Sequence, residues 1–396
     1  MIRKSKEMAT TIVHVNKAFW PEIGGVETVC RQYSEISKSI FDNVNVLTIG
    51  NSRGFGRKSF TFKGIKVEAF DYQFTVMKNR VSVGFLISLF LLCFKNVVIH
   101  SHDPFPLSTL VFAIKMPKAL IITYHADIVR QRRMKPFVDR LRRLVLEKAL
   151  YVTTTSNSLI KYSDILSLMP EEKIACIPMF LNDYSKYVKP VSIDELESQD
   201  IQSLNFSNCV FLVLGRHAYY KGLSTLIKAL NYNAERSLEQ SSHIVIAGAV
   251  ADDEANLQLN ELKNCSDRVI VIERAVTEKE KIYLLQNCDV LLFLSNQPSE
   301  AFGIIQLEAA AAKLPIVNFD LKTGVSEVGA NGITAYTLEL NDYVSLAEML
   351  GASSVETYFG FYRPAIVDQF LQDNFSEQRT CRFLHKIYND GARATL

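Results

Sequence analysis

The sequence predicts an α/β protein of two tandem Rossmann-like domains, each a mostly parallel sheet flanked by helices. Three observations lead there. The 396 residues exceed what one hydrophobic core usually serves, so two domains of about 150 to 200 residues are expected. Short β-branched runs recur with helical patterns between them, the rhythm of parallel βα units. That rhythm occurs twice, interrupted by a polar, acidic stretch holding Asp194, Glu195, Glu197 and Asp200. The domains are accordingly expected at residues 1–190 and 205–374, with a helix at about 375–396 closing the first.

In the first series, strands are expected at Thr11 to Val15, Val44 to Thr48, Val97 to His100, Leu120 to Thr123 and Tyr151 to Thr155. The apolar window Val83 to Phe94 stops at Lys95. It is too short to span a bilayer of about 30 Å and reads as a buried helix feeding the third strand. The second series follows at Cys209 to Leu214, His243 to Ala247, Arg268 to Ile272, Val290 to Leu294 and Pro315 to Phe319. Glu377 to Tyr388 is amphipathic and reads as the closing helix. Such sheets bind ligands beyond the carboxyl ends of their strands, so the expected site is a cleft between the domains.

Composition is that of an ordinary soluble globular protein, with no internal repeat and no low-complexity stretch. The net charge of +2 hides an asymmetry. Residues 1–190 hold 28 Lys and Arg against 15 Asp and Glu (+13), and residues 191–396 hold 16 against 27 (−11). The first half therefore suits an anionic surface or a phosphorylated carrier, or simply the acidic second half. Seven scattered cysteines, most in apolar runs and without a CxxC or Cys/His cluster, indicate buried free thiols in a reducing compartment. The N-terminus makes a poor signal sequence, so a cytoplasmic protein is expected.

The candidate site residues follow strand ends. Gly24 and Gly25 precede a helical pattern, and glycine admits close approach of phosphate or sugar. His102-Asp103 and His125-Ala126-Asp127 each follow an apolar strand, where a histidine can bind a sugar hydroxyl or move a proton. Arg216 and Lys221 share one glycine-flanked loop and could clamp a diphosphate, stabilising it as a leaving group. Glu300 and Glu308 bracket Phe302, Gly303 and Ile304. A helix starting near Gly303 would offer N–H groups to phosphate oxygens, with Glu308 about 7 Å further along its axis. Arg130, Arg132, Arg133 and Lys135, continuing to Arg140, Arg142 and Arg143, interleave with apolar residues. They suit an anionic membrane or a pyrophosphate head group, or a solvated helix face. Nucleic acid is disfavoured because no aromatic platform accompanies this charge, and no residue cluster makes a metal set.

Taken together, Gly24-Gly25-Val26-Glu27, His125, Gly215-Arg216 with Lys221-Gly222, and Glu300 with Glu308 in E-x7-E spacing resemble the retaining glycosyltransferases of family four (glycosyl transferase group 1), with the GT-B fold. The resemblance covers nearly the whole chain. It implies metal-independent transfer of a sugar from a nucleotide diphosphate donor, without cofactor and with retention of configuration. It implies that Arg216 and Lys221 hold the diphosphate and Glu308 the ribose. Glu300 and the amides around Phe302, Gly303 and Ile304 would hold the sugar, His125 would contact it from the first domain, and Gly24 and Gly25 would line the phosphate and acceptor side. No protein nucleophile is implied. The chain departs from the family at Lys313-Leu314-Pro315 and Ala335, where glycine is frequent before the proline and at the second position. The expected activity is that of a peripheral inner-membrane enzyme using GDP-mannose or a UDP-sugar on a lipid-linked or polysaccharide acceptor. A sugar-nucleotide epimerase or a noncatalytic protein of the same fold are the alternatives.

Overall fold

The computed structural model describes residues 11–22, 24–76, 79–127, 135–236, 242–352 and 354–396. It divides into two compact units, Met1–Met179 with Glu377–Leu396, and Phe180–Ser376.

The first unit runs β1 (Thr11–Val15), α1 (Gly25–Ser37), β2 (Asn43–Arg53), β3 (Arg57–Phe62), β4 (Ile65–Tyr72), β5 (Phe74–Val76), β6 (Asn79–Val81), α2 (Val83–Leu92), β7 (Val98–Asp103), α3 (Pro106–Ile114), β8 (Ala119–Tyr124), α4 (Lys135–Lys148), β9 (Tyr151–Thr154), α5 (Asn157–Tyr162) and β10 (Ile174–Cys176). Its eight-stranded sheet has the order β10-β9-β8-β7-β1-β2-β4-β3, parallel except for β3. On one face Val13, Val15, Ile99, Leu120 and Ile122 meet Phe85 and Leu89 of α2, Val111 and Phe112 of α3, and Val145 and Leu146 of α4.

The second unit runs α6 (Ser185–Val188), α7 (Gln199–Gln202), β11 (Val210–Leu214), α8 (Leu223–Glu235), β12 (His243–Ala247), α9 (Asp253–Cys265), β13 (Val269–Ile272), α10 (Glu278–Asn287), β14 (Val290–Phe293), α11 (Ile304–Ala311), β15 (Ile316–Phe319), α12 (Val325–Val328), β16 (Ala335–Leu338), α13 (Tyr343–Gly351) and α14 (Pro364–Phe375). Its six parallel strands lie in the order β13-β12-β11-β14-β15-β16 over a core that includes Phe211, Leu226, Ile246, Leu292 and Phe319. The last helix, α15 (Glu377–Ala394), returns to the first unit. There its buried Tyr388 meets the His100 ring nitrogen Nδ1 at 2.9 Å.

Two expectations are corrected. The stretch from residue 180 to 205 belongs to the second unit, because its polar groups find partners there. Gln286 donates to the Tyr187 and Lys189 carbonyls, and Arg274 grips Asp200. The window Val83 to Phe94 is a helix, but not a buried one. Within α2 only Phe85 and Leu89 are buried, while Ile87 and Leu91 are 55% and 56% exposed.

Candidate active site

In the second unit the chain reaches the edge strand β13 and crosses back to add β14 on the other side of β11. The carboxyl ends of β11 and β14 therefore face a crevice at the point where strand order reverses, where open α/β sheets bind ligands. Two loops meet there. The Asn296 N–H donates to the Tyr220 carbonyl at 3.0 Å, and the Tyr219 and Ser299 hydroxyls lie 2.9 Å apart. Lys221 Nζ donates to Glu300 Oε2 at 2.5 Å, and Ser295 Oγ donates to the same oxygen at 3.0 Å. Gly215, Arg216, His217, Lys221, Phe293 and Ser295 line a cavity at this point. Arg216 is exposed at its rim. His217 is pushed down to about 4 by burial and by Lys221, so it is neutral at pH 7.

Two glycines are dictated by the close approach of these loops. Gly222 caps α8 at φ +71°, where a Cβ would lie 1.8 Å from the Leu294 carbonyl oxygen. Gly303 caps α11 at φ +76°, where a Cβ would lie 2.6 Å from the Phe293 ring. Only glycine fits either place. As the sequence predicts, α11 begins immediately after Gly303, so the Phe302-Gly303-Ile304 amides stand at its N-terminus.

Glu308 lies within α11, buried, and its Oε1 takes two hydrogen bonds, from Tyr187 Oη at 2.7 Å and from Lys281 Nζ at 2.6 Å. Burial works to lower the Lys281 pKa, but Glu308 and Glu278 outweigh it and hold it above the usual lysine value. Burial, then Glu308, push the Tyr187 phenol up. Neither Tyr187 nor Lys281 stands out in the sequence: one lies at the end of the stretch expected in the first domain, and the other is one of two lysines in the charged first turns of α10.

The first unit's sheet reverses order between β1 and β7. Beyond β1, Gly24 caps α1 with extended backbone; a Cβ on Gly25 would meet nothing within 4 Å, whereas one on Gly24 would lie 2.2 Å from Glu27 Oε2, so the Glu27 carboxylate folds over that end of the first turn. Beyond β8 stands His125, whose Nε2 is 3.1 Å from His102 Nδ1. Burial and Lys17 push His125 down to about 3. His102 itself is fully buried, so the expectation that it reaches a ligand gives way to a supporting role under His125. His100 and His14 continue the row inward, held by Tyr388, Thr123 and Ser37. Ligand atoms of His14, His100 and His102 lie within 4.8 Å of one another, a grouping the sequence does not reveal because register on adjacent strands creates it. Several of their nitrogens are already engaged in these hydrogen bonds.

Asp103 forms an ion pair with Arg142, Arg142 Nε donating to Oδ1 at 2.9 Å. Arg142 is buried against the Tyr124 ring and is no part of a surface basic stripe, contrary to the sequence reading. Arg130, Arg132 and Arg133 lie outside the described residues, and Lys135 begins α4 with its side chain outside them.

The family described as Glycosyl transferases group 1 matches residues 196–351, and Glycosyltransferase Family 4 matches residues 23–183. D-rhamnosyltransferase WbpZ of Pseudomonas aeruginosa is 30% identical over 82% of this chain and 81% of its own. The chain belongs to the group 1 glycosyltransferases. O-antigen chain mannosyltransferase C of Escherichia coli is 25% identical over 86% of this chain and 87% of its own. Among solved structures, sucrose-phosphate synthase from Thermosynechococcus elongatus has a TM-score of 0.74 at 14% identity, covering 96% of this chain and 98% of its own. HepE from Anabaena, crystallised with UDP, has a TM-score of 0.71 at 16% identity, covering 96% and 100%. The two-domain α/β architecture is thus the GT-B fold.

Proposed function

We propose that this glycosyltransferase moves a hexose, mannose being the first choice, to a lipid-linked or polysaccharide acceptor in bacterial surface glycan synthesis. The donor is a nucleotide diphosphate sugar, GDP-mannose or a UDP-sugar. Configuration is retained and no metal is needed. The observation that carries this reading is the Lys221–Glu300 pair at the strand-order reversal, with Arg216 on the same loop.

A bound diphosphate draws the Lys221 ammonium away from Glu300, so Lys221 and Arg216 neutralise the leaving group. The released Glu300 carboxylate then accepts hydrogen bonds from the donor sugar, beside the Phe302, Gly303 and Ile304 amides at the positive end of α11. Glu308 is steadied through Oε1 by Tyr187 and Lys281 and turns Oε2 to the ribose hydroxyls. In the first unit, the open side of α1 at Gly25 takes phosphate or acceptor once the Glu27 carboxylate swings off Gly24, and neutral His125 hydrogen-bonds the sugar. A histidine with a pKa of about 3 is a poor base, which supports a mechanism in which the departing phosphate takes the acceptor proton.

The choice of mannose is supported by the names of the two relatives, a mannosyltransferase and a D-rhamnosyltransferase, since D-rhamnose is 6-deoxymannose. The first of those names also supports a surface-glycan acceptor. Arg130, Arg132, Arg133 and Lys135 meet the anionic carrier at the inner face of the plasma membrane. No helix among the described residues is long and apolar enough to cross a membrane, and a peripheral enzyme needs none.

The test is calorimetric titration with GDP, UDP and ADP in the presence of chelator. Tight binding of one nucleotide, lost in Lys221→Ala, is expected and names the base of the donor. Binding of none, with acceptor and vesicles also present, would overturn the reading. Turnover of donor without acceptor would instead indicate an epimerase. NMR of the product anomer checks retention.

A further inference from the structure

The helix α2 is almost wholly apolar, yet most of it faces outward. Val83, Ile87, Phe90 and Leu91 are exposed, as is Phe94 just beyond its end. Its neighbour α3 adds exposed Leu110 and Ile114, the latter 70% exposed, and α4 adds Phe137 and Leu144. All three helices bury their inner faces in one core on the same side of the first unit's sheet. α3 packs against both α2 and α4. Their outer faces therefore form one continuous apolar layer, of a kind that soluble proteins rarely leave open to water.

Cations predominate on that layer. Lys95, Lys118, Arg140, Arg143 and Lys148 are exposed, and Lys115 Nζ sits 4.8 Å from the centroid of the Phe94 ring. From residue 83 to 148 the sequence holds 11 Lys and Arg, one of them the buried Arg142 and four with side chains outside the described residues, against four acids. Each of the four has a partner inside the unit: Asp103 and Asp139 with Arg142, Glu147 with Arg143, Asp127 with Tyr124 and Ser163. Apolar side chains ringed by cations, with the nearby carboxylates already engaged, match a bilayer whose headgroups are anionic and whose interior is hydrocarbon. A second copy of the chain fits poorly, because a two-fold contact would set this cationic face against itself.

We propose that the outer face of α2, α3 and α4 is the surface by which the protein docks on an anionic phospholipid bilayer. It rests on the reading of a membrane-borne acceptor and assigns the membrane contact to these described residues. Ile87, Leu91 and Ile114 enter the acyl boundary while Lys95, Lys115 and Lys118 take the lipid phosphates.

The experiment is co-sedimentation of the full chain with vesicles of phosphatidylcholine alone or mixed with phosphatidylglycerol, at near-physiological salt. The mixed vesicles should bind at least about tenfold more tightly, given a cationic face of this size. Lys95→Glu with Lys118→Glu should abolish the phosphatidylglycerol dependence. Ile87→Ser with Leu91→Ser should lower binding to mixed vesicles about tenfold. All of these side chains are exposed, so melting temperature and nucleotide titration should match the parent protein. Equal binding to both vesicle types, or variants that bind like the parent, would overturn the proposal. So would concentration-dependent dimerisation, seen by light scattering, that Ile87→Ser with Leu91→Ser removes. Nucleotide binding without vesicle binding would sink the docking surface alone, and vesicle binding without nucleotide binding would sink the donor reading alone.

Discussion

The strand-order reversals of the two units are built from opposite materials. In the second unit the crevice holds Lys221 paired with Glu300 and Arg216 exposed on the same loop, and further along α11 Glu308 is paired with Lys281. In the first it is lined by glycine and by histidines that burial keeps neutral, with the charged Asp103–Arg142 pair buried beneath. The difference teaches a division of labour. Paired charges can exchange partners when an anionic ligand arrives, whereas neutral imidazoles can meet a neutral sugar or hydroxyl without rearranging.

Acid separates the two most strongly. His14 and His125 are pushed down to about 3, and His100 and His102 lie well below their usual value, all by burial first. Because the unfolded histidines take up protons near pH 6.5 and the folded ones do not, this contribution is complete above pH 6.5. It is lost as pH falls toward 3, at up to about 1.4 kcal/mol per pH unit for each histidine. In the second unit one histidine, His217, behaves this way, and Glu280, held down to about 2 chiefly by Arg274 against the opposing effect of burial, loses its contribution only below about 4.5. The first unit should therefore unfold first on acidification between pH 6.5 and 4.5. Trp20, the single tryptophan, lies in that unit, so its fluorescence should change before far-UV dichroism is fully lost. Coincident transitions would break the comparison.

Next in size, if Lys221 neutralises the leaving group as proposed, Lys221→Ala should lower the transfer rate by about 10² to 10³ with little change in melting temperature. The glycines sharpen the contrast through stability. Gly222→Ala forces a Cβ into backbone at positive φ and should cost more than about 1 to 3 kcal/mol in denaturant unfolding, while Gly25→Ala meets open space and should cost almost nothing. If Gly25→Ala slows transfer while leaving stability unchanged, the open side of α1 at Gly25 is a ligand surface. Smallest of all, Glu308→Gln keeps the carbonyl acceptor for Tyr187 and should weaken nucleotide binding about tenfold by calorimetry, with the base preference unaltered.

Much of this was legible in the sequence, because parallel strands advertise themselves as β-branched runs. The expected strands at Thr11–Val15 and His243–Ala247 match the observed ones residue for residue, and the helix after Gly303 begins where the glycine predicts. The hairpin of β3 and β4 escaped notice since its exposed strand carries Arg57 and Lys58 among few apolar residues. Lys281 and Tyr187 escaped because no local motif marks a side chain that meets Glu308 only in the folded unit. The apolar window at Val83 misled for a different reason. Apolar sequence predicts burial, but it does not say whether the burying phase is protein or lipid.

The placement of α15 has a consequence for biosynthesis. The second unit is an insertion, since the chain leaves the first unit at Met179 and re-enters it at Glu377. Residues 377–396 emerge from the ribosome after the entire second unit, yet Tyr388 supplies the hydroxyl that His100 meets in the first unit's interior. The domain begun first is thus completed last, and the second unit can mature while its predecessor still waits for its closing helix.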